Sequence, residues 1–414
     1  MKSNTSKLIP AYLLTFVNVL GFSVLIPVLP FVVERYGAPE FVYGLLLSFY
    51  AFFQFIGSPF LGKLSDSMGR KPILIISQIG TLLSWFIFAL AYFLPDTKIL
   101  YLALPLWVIA FGRIIDGITG GNVSVANAYI SDITSPAEKV TIFGYMGGIV
   151  GVAMIIGPGI GGVTSSGSIG YLGTVLVAIL ISAITVISIF VYLKESLPLE
   201  KRRKREVFNF RNTFMILRRV RVLKPNKLIK QVLVLKVFVS VIMAFYISTM
   251  VLYIIDNFGF NEREVGGFML VAGIFLAFNQ AFLYKRIVHR IGELSTLKLG
   301  FALMTVGFIA ITLTKNHFVF TALYFVLNMG ISISMPVFNS IISQNAQENK
   351  VGELMGISES ISSISNAIFP VIAAFIYSIV NAKLFWLLSF FAFTGMLVAI
   401  VTVRKNRTWI NFKN

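Results

Sequence analysis

The chain has 414 residues, of which 57% are hydrophobic and 13% charged, and its mean hydropathy is +0.85. So much apolar surface cannot be buried inside a water-soluble fold of this length, which makes the chain an integral membrane protein. The absence of cysteine excludes disulfides and Cys-ligated metals, and the two histidines, His289 and His317, are too few for a metal site. We therefore expect no metal and no cofactor.

Twelve mainly apolar runs follow one another along the chain, each long enough to cross a bilayer as a helix of about 20 residues. The first follows a short basic segment and is too long for a signal-peptide core, so we expect it to remain in the mature protein. The sequence predicts an all-α membrane protein with twelve transmembrane helices. The spans lie near 8–32, 41–64, 72–94, 100–130, 138–163, 169–194, 230–256, 264–284, 296–314, 318–343, 353–380 and 384–403.

The decapeptide GKLSDSMGRK, residues 62–71, carries four charges and two glycines between the second and third spans. This placement predicts a tight loop at one membrane face. The basic residues alone would satisfy a topological role, which requires neither the acid nor the glycines. The residues singled out are Gly62, Asp66, Gly69, Arg70 and Lys71.

The fourth span contains two charged residues, Arg113 and Asp116, which are candidates for a buried ion pair. They are three residues apart and therefore lie on one helix face. An ionisable residue within the membrane costs about 2.5 to 3.5 kcal/mol at the helix centre, so both residues need an explanation. The pair is either self-neutralising or a site whose proton occupancy changes. Both interpretations stay open at this point.

The fifth span is rich in glycine around one proline. Pro158 removes a helix hydrogen bond and the glycines remove side chains, which predicts a helix that bends and approaches a neighbour closely. Tight packing alone is the alternative. The residues concerned are Gly144, Gly157, Pro158, Gly161 and Gly162.

The longest polar interruption, residues 195–229, divides the chain into two sets of six helices, residues 1–194 and 230–414. Its basic run at 201–205 is followed by aromatic and apolar residues interleaved with arginine. This pattern predicts a cytoplasmic linker lying on anionic headgroups, with a regulatory or partner-binding loop as the alternative.

The two halves match each other in two registers, which indicates a degenerate six-plus-six repeat, an architecture known from transporters. The second half has lost most of the charges and glycines that mark the first. The retained matches are Gly69 with Gly292, Gly144 with Gly356, and Pro158 with Pro370.

Several other polar residues fall within the spans. Glu359, in the early turns of the eleventh span, is a second candidate coupling acid, although the helix dipole would also favour an ordinary acid there. The uncharged residues individually favour interhelical hydrogen bonds and together indicate a mildly polar cavity, suited to an amphipathic or hydrophobic molecule. They are Asn18, Gln54, Gln280, Asn328 and Asn366.

The distribution of positive charge predicts the orientation. With the N-terminus in the cytoplasm, 28 of the 35 Lys and Arg residues lie inside and only five lie outside. Under the positive-inside rule both termini are cytoplasmic. This topology accounts for the net charge of +18 without a nucleic-acid partner, and the short termini and loops favour a bacterial cytoplasmic membrane.

Three motifs in the first half carry a family resemblance: GKLSDSMGRK, GRIIDGITGG at 112–121, and GYMGGIVGVAMIIGPGIGG at 144–162. In this order they resemble the loop, helix 4 and helix 5 motifs of the major facilitator superfamily, closest to its tetracycline-efflux-like drug:proton antiporters. The resemblance implies two six-helix bundles, alternating access, a monomer and no enzymatic activity.

The resemblance also assigns roles. It implies a latch in which Asp66 reaches the N-terminus of the eleventh span and Arg70 pairs with Asp132, while the fifth-span kink helps seal the pathway. Tetracycline antiporters carry intramembrane aspartates in helices 1, 3 and 9. The aligned positions here are Asn18, Ser84 and Met304, so the resemblance supports efflux but puts tetracycline in doubt.

The resulting functional expectation is proton-coupled efflux of a small amphipathic or hydrophobic compound by alternating access between two six-helix bundles. The alternative is a uniporter or symporter of the same superfamily for a metabolite, lipid or siderophore-like solute. A non-transporting membrane receptor would not need polar residues within the spans of both halves. No phosphate-binding glycine loop or nucleophile elbow is present in the sequence.

Overall fold

The computed structural model describes residues 5–202, 223, 225–347 and 350–405. Fifteen α-helices account for the twelve predicted spans within these residues. Their bounds are α1 Thr5–Ser23, α2 Leu29–Arg35, α3 Phe41–Met68, α4 Arg70–Tyr92, α5 Leu104–Gly120, α6 Val123–Ile133, α7 Pro136–Ser165, α8 Tyr171–Tyr192, α9 Lys227–Phe258, α10 Glu262–Phe278, α11 Tyr284–Ile291, α12 Glu293–Ala310, α13 His317–Asn345, α14 Val351–Val380 and α15 Leu384–Lys405.

Ten segments of the described chain are long and apolar enough to cross a membrane, and the last of them, Val351–Arg404, contains both α14 and α15. A shorter apolar helix, Leu8–Ser23, precedes them. Counting α14 and α15 separately gives twelve membrane helices, and the predicted all-α membrane fold is confirmed.

The chain forms two compact units. Unit 1 comprises residues 1–214 and 260–270, and unit 2 comprises residues 215–259 and 271–414. Within unit 1, a buried apolar cluster joins α1, α4, α6 and α8 through residues such as Leu14, Leu74, Val125 and Ile189. Most of the predicted linker, residues 203–222 and 224, lies outside the described residues.

The first predicted span is two helices and not one. Between α1 and α2 the backbone forms turns, in which the Ile26 amide donates to the Ser23 carbonyl at 3.3 Å and the Val28 amide to Leu25 at 3.1 Å. Pro27 supplies no amide hydrogen to continue the helix, and Pro30 suits the first turn of the next one. The continuous helix predicted over 8–32 was therefore wrong at its centre.

The fourth predicted span is also divided. It begins at Leu104, after a two-stranded hairpin of β1 Lys98–Ile99 and β2 Leu102–Ala103, and it breaks between α5 and α6. A Cβ on Gly121 would collide with the backbone of Gly57 on α3, so this break lies where two helices touch. The break places Asn122 in the protein interior.

The decapeptide between the second and third spans is not an extended loop. Helix α3 continues through it to Met68 and α4 begins at Arg70, so Gly69 alone separates them, with φ +104° and ψ 159°. Gly292 separates α11 from α12 with φ +78° and ψ 164°. The same helix–glycine–helix corner thus occurs in both halves, as the repeat register predicted.

Candidate functional site

An ion pair on α5 forms the centre of the candidate site in unit 1. Arg113 Nη1 lies 3.0 Å from Asp116 Oδ2, and the two residues are only 1% and 6% exposed. The guanidinium also lies 4.3 Å from the centre of the Tyr50 ring on α3. Helix α3 approaches this closely because Gly117 has no side chain, and a Cβ there would come within 2.6 Å of the Tyr50 carbonyl oxygen.

The ion pair does not satisfy all of its polar atoms. Among the described residues, Nε and Nη2 of Arg113 have no hydrogen-bond partner although they are buried. The Thr81 and Ser84 hydroxyls lie within hydrogen-bonding reach of the Asp116 carboxylate. Both donors are therefore unsatisfied in this conformation. The pair borders a small cavity lined by Ser84, Trp85, Phe88, Gly112, Arg113 and Asp116.

Ser84 is one of the positions where the antiporter resemblance would place an aspartate. Its side chain, on α4, lines the same cavity as Asp116 on α5. The intramembrane acid of this region therefore stands across the cavity from the expected position, on the neighbouring helix. The other two such positions are also buried, Asn18 at 5% and Met304 at 0% exposure.

A seam of buried hydrogen bonds extends along α4, α5 and α6 from the ion pair. Thr81 and Thr119 hydroxyl oxygens are 3.2 Å apart, and the Asn122 side chain donates to Ser77 Oγ at 3.0 Å. Asn18 Nδ2 on α1 donates to Asn122 Oδ1 at 2.5 Å. Of these hydrogen-bonding residues, only Asn18 was predicted from the sequence. The polar residues at positions 113, 116, 119 and 122 recur every three positions, which indicates a polar helix face that includes Thr119 and Asn122.

Gln54 on α3, which was predicted to line the cavity, forms hydrogen bonds next to the Arg113–Asp116 pair. Its side-chain amide donates to the Tyr50 hydroxyl at 2.9 Å and to the Gly120 carbonyl at 3.3 Å. It therefore belongs to the same group of contacts as Arg113 and Asp116.

The polar residues predicted in the second half do not form one cluster in unit 2. Asn328 on α13 is buried and accepts a hydrogen bond from the Tyr246 hydroxyl at 3.1 Å. Gln280 is half-buried in a π-helical segment, Asn279–Leu283. Glu359 and Asn366 are exposed on α14. Only Asn328 is therefore buried in a hydrogen-bonded environment like that of the unit 1 residues.

Arg70 connects the predicted switch residues at one end of unit 1. Its Nε lies 3.1 Å from Asp132 Oδ2, as the resemblance implied, and its Nη1 lies 2.6 Å from Asp66 Oδ1. Glu195, which the sequence patterns did not indicate, accepts through its carboxylate from the Arg70 amide at 2.9 Å and the Lys71 amide at 3.2 Å. The predicted contact of Asp66 with the eleventh span stays a prediction.

The other glycine of the predicted switch, Gly62, lies against α6. A Cβ at this position would come within 3.4 Å of Ser124 Oγ, which is a tight contact between α3 and α6. Gly62 thus serves helix packing in the structure, and its role in a switch stays a prediction.

The glycines of α7 pack against the end of α1. A Cβ on Gly157 would collide with Ser23, and one on Gly161 with the Val24 carbonyl, while Gly162 lies against Gly266 in the segment that belongs to unit 1. Gly144 has nothing within 4 Å of a Cβ position. The tight-packing interpretation thus describes three of the glycines.

Pro158 lies inside the uninterrupted helix α7. Its predicted bending stays a prediction, as does the role of this segment in sealing a pathway.

Fold and site together define a multi-pass membrane protein with charged and polar side chains buried among its apolar helices. The sequence model described as Major Facilitator Superfamily matches residues 11–370 and 281–413. The chain belongs to this superfamily.

Its relatives include proteins named for drug resistance. The chain is 30% identical to the class G tetracycline resistance protein of Vibrio anguillarum over 376 residues, covering 90% of this chain and 91% of the relative. It is 27% identical to Multidrug resistance protein 2 of Bacillus subtilis (strain 168), covering 94% and 93%. Its fold is similar to that of a D-xylose-proton symporter, with a TM-score of 0.72, 16% identity and 96% coverage of both chains.

Proposed function

We propose that this protein exports small amphipathic or hydrophobic compounds from the cytoplasm in exchange for protons. The observation that carries the proposal is the buried Arg113–Asp116 pair at 3.0 Å, with two guanidinium donors unpartnered among the described residues. Relatives named for tetracycline and multidrug resistance support the direction and the class of cargo.

The pair couples proton binding to a conformational equilibrium in the following way. An ionised Asp116 holds the Arg113 guanidinium, because two opposite charges in a medium of low dielectric attract strongly. Protonation of the carboxylate removes that attraction and frees the guanidinium, which already lies over the Tyr50 ring, to turn toward cargo. A change of proton occupancy thereby shifts the populations of two conformations. A purely structural pair would lack this response.

The cargo we propose is not tetracycline itself. Uncharged side chains occupy the three aligned acidic positions, which suits a cargo recognised mainly by apolar contact. Protons and a small molecule are the partners, and the bilayer is the solvent. We propose a monomer.

We further propose that both termini are cytoplasmic, that the membrane is a bacterial cytoplasmic membrane, and that residues 195–229 link bundles 1–194 and 230–414. The positive-charge distribution supports this orientation, because 28 Lys and Arg residues fall on the side of the termini and five on the other. In this orientation the Arg70 cluster, with Asp66 and Asp132, faces the cytoplasm and acts as the switch.

Inverted membrane vesicles with a preformed pH gradient test the proposal. Addition of a cargo should dissipate the gradient in vesicles with the wild-type protein and not in vesicles with Asp116→Asn, at equal protein levels. Unchanged proton-coupled transport by Asp116→Asn would exclude Asp116 as the coupling site. Transport without proton movement by the wild type would instead indicate a uniporter of the same superfamily.

A further inference from the structure

Unit 2 contains a buried lysine that the proposed coupling site does not use. Lys236 on α9 is only 6% exposed. It lies nine residues after the helix begins at Lys227, about 14 Å along the axis at 1.5 Å per residue. A charged side chain at such a depth in a membrane helix is costly and calls for a functional explanation.

Lys236 differs from the other buried cations of the described chain in how its charge is compensated. Arg70 and Arg113 each have a carboxylate oxygen within 3.1 Å. Among the described residues, no carboxylate lies within 4.0 Å of Lys236. Its ammonium lies 5.6 Å from the centre of the Phe338 ring on α13, and Glu359 on α14 is an electrostatic neighbour at longer range.

Contacts between α9 and α14 show which residues of α14 lie at the level of Lys236. Ser240 and Ser362 hydroxyls are 3.3 Å apart, the Tyr377 hydroxyl donates to Asp256 at 2.8 Å, and the Phe245 and Phe369 rings are 5.8 Å apart. These contacts keep a nearly constant offset along two parallel helices. One turn before Ser240, the same offset puts Ser358 and Glu359 at the level of Lys236.

Ser358 supplies the second polar group at this level. It is completely buried, and its hydroxyl has no hydrogen-bond partner among the described residues. A buried hydroxyl of this kind costs free energy unless a ligand satisfies it. An ammonium, an unpartnered hydroxyl and an aromatic ring are together the groups that an acid attached to an apolar body would contact.

We propose that Lys236 and Ser358 form a binding site for the acid group of an amphipathic organic anion, beside the completely buried ring of Phe338. The inference rests on the proposed export function and names the class of cargo. Glu359 compensates the lysine charge when the site is empty and competes with the acid of the cargo. Removing Lys236 or Glu359 should therefore have opposite effects on binding.

A matched series of naphthalene compounds tests the site on the purified full-length protein. 2-Naphthoate, 2-naphthalenemethanol and 2-naphthylmethylamine share one apolar body and differ in charge. Naphthoate should raise the unfolding temperature in a concentration-dependent way, because a ligand that binds only the folded state stabilises it, and the alcohol and amine should not. Equal shifts by all three compounds would overturn the proposal.

Four variants assign the binding to these residues. Lys236→Met should abolish the naphthoate shift and Lys236→Arg should retain it. Ser358→Ala should weaken binding by about ten- to a hundredfold, the effect of losing one charge-assisted hydrogen bond. Glu359→Gln should strengthen binding. Lys230→Met, an exposed lysine earlier on α9, is the matched control and should leave the shift unchanged.

Two results would contradict the proposal even if Lys236→Met failed to fold: loss of the shift in Lys230→Met, or weaker naphthoate binding by Glu359→Gln. The latter would mean that Lys236 and Glu359 form only a structural pair. The vesicle assay separates this inference from the proposed function. If naphthoate binds but no protons move, the proposed proton coupling is refuted and the anion site is supported. If only the amine drives proton movement, the anion site is refuted and the proton coupling is supported.

Discussion

The Arg113 guanidinium lies 4.3 Å from the centre of the Tyr50 ring. This contact joins α3 to α5 at the Arg113–Asp116 ion pair, which is buried within unit 1. A cation over an aromatic face is worth about 0.5 to 2 kcal/mol, more where water is excluded. The ring thus replaces part of the hydration that the guanidinium gives up. Tyr50 therefore helps to hold Arg113 where Asp116 can reach it.

Tyr50→Leu should lower both the unfolding temperature and the rate of proton-coupled transport, because it removes the aromatic face. Tyr50→Phe keeps the face and loses only the hydrogen bond from Gln54, so it should retain most of the transport rate. Thermal unfolding and the vesicle assay measure the two effects. Equal losses in both variants would show that the hydroxyl, and not the ring, supports Arg113.

Gly161→Ala should destabilise the protein by about 1 to 3 kcal/mol, the usual cost of forcing a group into a packed contact. The reason is that the new Cβ would meet the Val24 carbonyl, a backbone group that cannot turn aside. Gly144→Ala is the matched control on the same helix, because nothing lies within 4 Å of its Cβ position. Denaturation of the two purified variants gives the comparison, and similar stabilities would contradict the packing described for α7.

Gly69→Ala should cost more stability than Gly292→Ala. Both glycines have positive φ at helix–helix corners, a conformation that costs an alanine about 1 to 3 kcal/mol. At Gly69 the Cβ would also collide with the Glu195 carboxylate, whereas nothing lies within 4 Å at Gly292. Side-by-side unfolding curves measure the difference, and a Gly292→Ala variant as damaged as Gly69→Ala would argue against a role for Glu195.

The fold was predictable because its signals are local. Each span is an apolar run of membrane length, and the glycine corner at Gly69 is repeated at Gly292 in the sequence itself. The positions of the helix breaks were harder to predict from the sequence. Pro27 was visible, but the break before Asn122 arises where Gly121 meets the backbone of α3, which depends on a residue distant in the chain.

The candidate site was only partly predictable for the same reason. Spacing alone placed Arg113 and Asp116 on one helix face, and the distance of 3.0 Å agrees with it. The contacts of Tyr50 with Arg113, of Asn122 and of Glu195 join segments that are distant in the chain, and helical periodicity does not specify which helices are neighbours. Sequence patterns therefore found the charges and missed most of the groups that hold them.

The sequence by itself determined that this chain is a twelve-helix membrane protein with a charged pair in its fourth span, because hydropathy and helical spacing depend only on neighbouring residues. Tertiary structure alone decided what surrounds Arg70 and Lys236, whereas Arg113 and Asp116 lie three residues apart on one helix. Carboxylates from their own unit reach Arg70 and Arg113, while Lys236 has an aromatic ring and a hydroxyl-bearing helix beside it. The charge balance of a membrane interior is set by contacts between helices, and such contacts exist only once the chain has folded.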